Sequence, residues 1–171
     1  DQDSGTGCRQ WEKALEAVCE LYPKADLYTL LHKRKSVSSV IENRSLHRSF
    51  IQYLPFSDRL YRYYLPLFPC AIEQFDLDSH DLIISTSHCV AKSAVRTGRA
   101  FHVCYCFTPM RYAREQYDDY FGAERVGSIV SGLMFPILNS LARWDTATSG
   151  RVDLYIAISQ HVADRIQRYY N

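Results

Sequence analysis

Two unbroken apolar runs constrain the fold of this chain more than any other feature. Residues 81–85 read Asp-Leu-Ile-Ile-Ser, and residues 101–106 read Phe-His-Val-Cys-Tyr-Cys. Such runs predict strands that are buried on both faces of a parallel sheet. A third strand is predicted over 152–158, and helical patterns over 111–120, 127–148 and 159–170 alternate with the strands. Because alternating strands and helices form right-handed crossovers, the sequence predicts an α/β fold with a mostly parallel sheet and helices on both faces.

The amino-terminal part of the chain has shorter predicted elements. Residues 1–8 lack apolar periodicity and are predicted to be a loop or a poorly ordered end, whereas residues 11–22 show helical spacing up to Pro23. A strand is predicted over 25–31, a short helix and a short strand over 40–50, and helices over 59–64 and 71–75 with an interruption from Pro66 to Pro69. No repeat or low-complexity linker divides the chain. We therefore predict a single domain over 1–171.

Charge and cysteine usage exclude several classes of protein. Twenty Lys and Arg residues oppose nineteen Asp and Glu residues, which gives a formal net charge of +1. Without a net positive field, we expect no nucleic-acid partner. The six cysteines are scattered without a Cys-x-x-Cys pair, and we find no opening signal peptide and no apolar run long enough to span a membrane. These features predict a reducing, cytoplasmic compartment.

The loops that follow the predicted strands carry the candidate binding residues. Ligands of an open parallel sheet bind beyond the carboxyl ends of its strands. His88 and Lys92 follow the first apolar run, and Thr108, Arg111 and Tyr112 follow the second. In the first loop, a helix N-terminus beside an ammonium group favours an anion such as phosphate. In the second, the forked guanidinium of Arg111 suits a phosphate or a carboxylate.

These segments also have structural interpretations, which the residues leave open. Ser87 could cap the following helix, with His88 a structural histidine whose hydrogen bonds are satisfied. Arg111 could pair with Glu115 along one helix face. The segment 53–75, in which tyrosines alternate with arginines and prolines, could line a groove or form a packed helical layer.

A metal site is the weakest of the possible readings. His88, Cys89, His102, Cys104 and Cys106 are the available ligands, but strand alternation places the last three on one face and leaves little room for tetrahedral closure. Small buried cysteines explain the pattern better, and we predict no metal. The glycine-rich dinucleotide and P-loop motifs and the Gly-x-Ser-x-Gly nucleophile motif are also missing.

Several long segments carry a resemblance to a known family. They are Glu-Gln-Phe-Asp-Leu at 73–77, Asp-Leu-Ile-Ile-Ser-Thr-Ser-His-Cys-Val-Ala-Lys at 81–92, and Cys-Tyr-Cys-Phe-Thr-Pro-Met-Arg-Tyr-Ala at 104–113. The likeness continues through 12–31, 144–145, 151–153 and 156–170. In these segments the chain resembles the N-terminal domain of bacterial family 4 glycosyltransferases, in the branch of mannosyltransferases of surface-polysaccharide synthesis.

The resemblance implies a function and its partners. It implies the Rossmann-like N-terminal half of a retaining GT-B enzyme that transfers a hexose, mannose in this branch, from a GDP- or UDP-hexose to a glycan or lipid-linked acceptor. The acceptor pocket would use His88, Lys92, Thr108, Arg111 and Tyr112. A C-terminal domain, expected as the missing partner, would hold the donor sugar nucleotide, and no cofactor or metal is required. The family's first strand would precede Asp1, so we expect a fragment without it.

The resemblance also gives an expectation about location. A basic and aromatic surface at Arg59, Tyr61, Arg62, Tyr63 and Tyr64 would rest on the inner membrane that bears the acceptor.

Three departures leave the catalytic residue unknown. Phe107 stands where the family has a histidine that contacts the transferred sugar, Gln10–Trp11 replace two glycines, and Ile158 replaces an asparagine. A non-catalytic binding module derived from a glycosyltransferase is therefore the alternative.

Overall fold

The chain divides into two compact units in this computed structural model, Asp1–Leu67 and Phe68–Asn171. The structure describes residues 4–87, 89–109 and 128–170. The described strands are all parallel, which confirms the predicted mixed α/β class. They form two small sheets rather than the one sheet that we predicted, because the two strands of the first unit pair with each other.

The first unit contains a long helix and a two-stranded sheet. Helix α1 spans Ser4–Leu21, β1 spans Leu27–Thr29, α2 spans Ser39–Glu42 and β2 spans Leu46–Arg48. The helix and strand predicted within 40–50 are thereby confirmed. The predicted loop over 1–8 is wrong from Ser4 onward. Extending an existing helix costs far less than starting one, so weak helix formers join α1 at its beginning.

Short helical segments complete this unit. They are a 3₁₀-helix at Phe50–Tyr53, α3 at Ser57–Leu60 and a 3₁₀-helix at Tyr61–Leu67. The predicted interruption at Pro66 is wrong, because this proline lies inside the second 3₁₀-helix. Ile41, Ile51 and Leu65 supply buried apolar side chains of the unit.

The second unit is built on a three-stranded sheet. After α4 (Phe68–Glu73), β3 spans Leu82–Ser87, β4 spans Phe101–Cys106 and β5 spans Leu154–Ala157, in the order β3-β4-β5. Helix α5 (Ser128–Ala147) leads towards β5, and α6 (Gln160–Tyr170) follows it. These bounds confirm the predicted strands and the predicted helices over 127–148 and 159–170 to within a few residues. The predicted helix over 111–120 lies outside the described residues.

The two faces of the second unit's sheet differ in burial. Along β4, His102, Cys104 and Cys106 are buried, while Phe101 is 49% exposed on the opposite face. The prediction that the apolar runs are buried on both faces is therefore wrong for β4. Val152 and Val162 pack with Cys104 and Cys106 on the covered face. No helix among the described residues is both long enough and apolar enough to cross a membrane.

Candidate functional site

The carboxyl ends of three adjacent strands define one edge of the second unit. Ser87, Cys106 and Ala157 are register partners at the ends of β3, β4 and β5. The backbone continues this alignment, since Phe107 N donates to Ser87 O at 2.9 Å. The segments that begin at 88, 107 and 158 thus start from a single edge, where parallel α/β sheets bind ligands. We call it the carboxyl edge of the second unit below.

Two of the five predicted binding residues belong to the described part of this region. Lys92 is 1% exposed and Thr108 is 4% exposed. His88, Arg111 and Tyr112 lie outside the described residues, so their roles stay predictions. The two described residues are both held in internal interactions.

Lys92 is the cation of a buried ion pair. Its Nζ lies 3.1 Å from Asp145 Oδ1 and donates to Asp145 O at 2.7 Å. Tyr170 closes the cluster, because its hydroxyl donates to Asp145 Oδ2 at 3.1 Å and its ring centroid lies 4.4 Å from Lys92 Nζ. Burial lowers the pKa of Lys92, and the Asp145 carboxylate opposes that shift. The cluster joins the segment after β3 to α5 and to the end of α6.

Thr108 is held by a hydrogen bond from Arg165, a residue that the sequence did not single out. Its Oγ1 accepts a hydrogen bond from Arg165 Nη1 at 2.9 Å and donates to Pro109 O at 3.1 Å. Arg165 belongs to α6, whose N-terminus is capped by Ser159, with Val162 N donating to Ser159 Oγ at 3.3 Å. One signal was available: Arg165 is three residues from the buried Val162, so both fall on the inner face of the helix.

Phe107 places an aromatic ring directly after β4. Its ring packs edge-to-face against Tyr105, with centroids 5.3 Å apart. A phenyl ring has neither a hydrogen-bond donor nor an acceptor, so it can contact a sugar only through its face. Ile158, at the end of β5, is 41% exposed and likewise apolar. Two of the three departures noted in the sequence thus lie at the carboxyl edge of the second unit, whereas Trp11 lies inside α1 of the first unit.

A second polar network braces the middle of this sheet. His102 Nδ1 lies 3.0 Å from Arg151 O and Nε2 lies 2.8 Å from Ser85 Oγ. Because a carbonyl only accepts, Nδ1 carries the proton and Nε2 accepts from the serine. Burial lowers the pKa of His102, which favours this neutral form. The backbone N–H of His102 and the guanidinium of Arg96 lower the pKa of the Asp153 carboxyl, whose Oδ2 accepts from His102 N at 2.8 Å.

The candidate metal ligands have other roles here. Both nitrogens of His102 are engaged as described, and burial, with the Asp145 charge, raises the pKa of Cys89 to about 12. Hydrogen bonding to Cys104 and burial raise the pKa of Cys106 as well. Metal ligation needs thiolates, which the pKa shifts of Cys89 and Cys106 oppose, whereas hydrogen bonding to Cys106 lowers the pKa of Cys104. Among the described residues, no three His, Cys, Asp or Glu side chains group as a metal site.

Comparisons with known proteins add no identification. No protein-family model, no curated protein and no solved structure matches this chain.

Proposed function

We propose that this chain is the acceptor-side, Rossmann-like domain of a retaining glycosyltransferase, of the GT-B type, that transfers a hexose from a nucleotide sugar. The observation that carries the proposal is that the segments which resemble the family meet at one edge of the second unit's sheet. The segments 81–92, 104–113 and 156–170, which carry the resemblance, contain the carboxyl ends of β3, β4 and β5, and these strands end at one edge. A shared ligand site would require this placement.

The described residues would have two different roles in such a site. Thr108 and Arg165 shape the rim, where a guanidinium suits the phosphates of a GDP- or UDP-hexose. The Lys92–Asp145–Tyr170 cluster holds the 3₁₀-helix Ala91–Ser93 that follows β3. Mannose is the hexose that the resemblance favours, with a glycan or lipid-linked acceptor. A C-terminal domain would bind the donor, and the acceptor hydroxyl would attack on the face that the leaving phosphate vacates.

Phe107 supports a second candidate, a glycan-binding module without transfer activity. Its ring, packed on Tyr105, offers stacking and no hydrogen bond. A module of this kind would bind the acceptor at the same edge and release it unchanged.

A transfer assay separates the two functions. The chain is fused to the donor domain of a family 4 mannosyltransferase, and hexose transfer from GDP-mannose to lipid-linked acceptors is measured. We expect transfer, with Phe107→His raising the rate by about tenfold through a regained hydrogen bond to the sugar. Thr97→Val, on the exposed loop before β4, is the matched control for Thr108→Val, which we expect to lower the rate.

Each negative outcome has a distinct meaning. Acceptor binding without transfer, even in the Phe107→His fusion, supports the binding module. Neither binding nor transfer by the folded fusion would refute both functions.

A further inference from the structure

Some segments that carry the family resemblance lie outside the strands: 73–77, 144–145 and 151–153. One side chain from each of them meets the others at a single oxygen. Glu73 Oε1 accepts hydrogen bonds from Arg151 Nη1 at 2.7 Å and from Trp144 Nε1 at 3.2 Å. We call these three residues the Glu73 cluster. Because Glu73 is 71 positions from Trp144 and 78 from Arg151, no local pattern predicts the contact.

The Glu73 cluster extends to the segment that follows β3. Arg151 Nη1 also donates to Ser93 O at 2.6 Å, at the end of the 3₁₀-helix Ala91–Ser93. Ser93 is fully buried, and its Oγ lies 2.7 Å from Thr148 Oγ1. Two bonds thus hold Ser93 against the residues between α5 and β5.

Arg151 is the bridge between the sheet and this segment. Its backbone oxygen lies 3.0 Å from His102 Nδ1, which fixes the residue beside β4. From there its side chain reaches Ser93 O. A guanidinium that is 32% exposed has water as an alternative partner, and the ion pair with Glu73 through the same nitrogen opposes a turn towards water. The direction of the Arg151 side chain therefore depends on Glu73.

Exposure distinguishes this ion pair from the Lys92–Asp145 pair. The side chains of Glu73 and Arg151 are each about one-third exposed, whereas those of Lys92 and Asp145 are buried. Removal of one member of a buried pair leaves an unpaired charge in the interior, but a partly exposed pair contributes little to stability. We therefore expect variants of Glu73 to fold, with an effect that is confined to the groups that Arg151 holds.

We infer that Glu73 is a positioning residue for ligand binding at the carboxyl edge of the second unit. Through Arg151 it fixes the backbone at Ser93, and thereby the segment that starts from the carboxyl end of β3. Ligands of parallel α/β sheets bind to the segments that follow the strand ends, and a segment that is ordered beforehand binds more tightly. The inference rests on the proposed function, because it takes a mannose-containing acceptor as the ligand.

Amide hydrogen exchange of the full chain tests the positioning step by itself. Ser93 N and Ala94 N donate to backbone oxygens within the turn at 2.8 and 3.3 Å, so their exchange rates report the opening of this 3₁₀-helix. We expect Glu73→Ala to accelerate exchange at both amides by about tenfold, through loss of a charge-assisted hydrogen bond, and to leave the β4 amides within about twofold. Glu20→Ala, at an exposed glutamate of α1, is the matched control and should change neither.

Two further variants identify the hydrogen bond as the cause. Glu73→Gln keeps an oxygen that can accept from Arg151 and Trp144, and it should restore slow exchange at both amides. Arg151→Met removes the donor and should accelerate exchange as Glu73→Ala does. The double variant E73A/R151M should show no larger effect than either single change, because the two residues act as one unit.

Affinity for mannobiose is the functional measurement. Amide chemical shifts of the full chain are followed during titration with mannobiose, under conditions in which urea denaturation shows every variant to be folded. We expect Glu73→Ala to bind about fivefold more weakly and Glu73→Gln to bind like the unmodified chain. An ion pair with a structural role alone would lower the free energy of unfolding and leave the affinity of the folded chain unchanged.

Three results would overturn the inference. One is unchanged exchange at Ser93 and Ala94 in Glu73→Ala. Another is acceleration that is spread equally over the amides of the second unit, and the third is local acceleration with unchanged mannobiose affinity. Failure of the proposed function looks different, because the unmodified chain then binds no mannobiose, and exchange alone decides whether Glu73 positions this segment.

Discussion

The two sheets present their carboxyl edges in opposite ways. At the carboxyl edge of the second unit, Lys92 and Thr108 are buried and bonded to Asp145 and Arg165. At the carboxyl edge of the first unit's sheet, the cations that follow β1 and rings such as Tyr53 that follow β2 are exposed. Buried polar groups fix geometry and lose stability when a partner is removed, whereas exposed ones set surface affinity at little cost in stability. Two parallel sheets of one chain thus carry bonded, buried polar groups at one carboxyl edge and exposed charged and aromatic groups at the other.

The largest effect should come from breaking the Lys92–Asp145 pair. Lys92→Met leaves a buried carboxylate without its cation, and we expect the free energy of unfolding to fall by about 3–5 kcal/mol. Urea denaturation followed by tryptophan fluorescence measures it. Lys24→Met, at an exposed lysine, is the control. The triple variant K92M/D145L/Y170F replaces every polar member and should recover most of the loss, and a failure to recover would show that the cluster is not a self-contained ion pair.

Next in size is the loss of the Thr108 acceptor. Thr108→Val leaves Arg165 Nη1 without this partner, and we expect a loss of about 1–3 kcal/mol in the same urea experiment. Thr97→Val, on an exposed loop, should stay within about 0.5 kcal/mol of the unmodified chain. Equal effects of the two valine variants would mean that Thr108 is not a positioning residue.

Acid should weaken the second unit through His102. Its pKa is lowered in the folded chain, so as the pH falls below the ordinary value of 6.5 the unfolded chain takes up a proton first. Stability is therefore full above pH 6.5 and declines from there towards the folded pKa. His102→Gln cannot titrate, and its unfolding free energy should lack this decline, whatever its absolute value. An identical pH profile for both proteins would contradict the buried neutral imidazole.

The smallest predicted change has the opposite sign. Phe56 has a φ of 52°. Phe56→Asn relieves this left-handed turn, and we expect thermal unfolding to show a gain of up to about 1 kcal/mol. Phe56→Ala keeps the disfavoured conformation and should show no such gain. A loss of stability in Phe56→Asn would mean that the ring packs against the fold rather than facing solvent.

Local sequence patterns predicted the elements of the second unit well. The β4 bounds agree residue for residue with the predicted 101–106, and α5 and α6 differ from their predictions by one residue at each shifted end. Long runs and sustained helical periodicity give strong signals. The number of sheets was not predictable in this way, because a local pattern predicts the strands within 25–31 and 40–50 but does not show that they pair with each other.

The sequence did not reveal that the site residues are buried, because their partners lie far away along the chain. Lys92 lies 53 positions from Asp145, and Thr108 lies 57 positions from Arg165. A lysine in a loop is expected to be exposed unless a carboxylate from a distant part of the chain pairs with it. It was predictable that Lys92 and Thr108 follow the ends of β3 and β4, while their burial depended on helices far along the chain. The roles of His88, Arg111 and Tyr112 remain predictions.

The most direct test of the central claim is a map of where the acceptor binds. Backbone amide chemical shifts of the full chain are followed during titration with mannose-containing acceptor glycans and with GDP-mannose. The account predicts that shifts change at 86–92, 107–112 and 158–165 and stay constant at the amino ends of β3, β4 and β5. Changes confined to those amino ends, or to the first unit, would contradict an acceptor site at the carboxyl edge of this sheet.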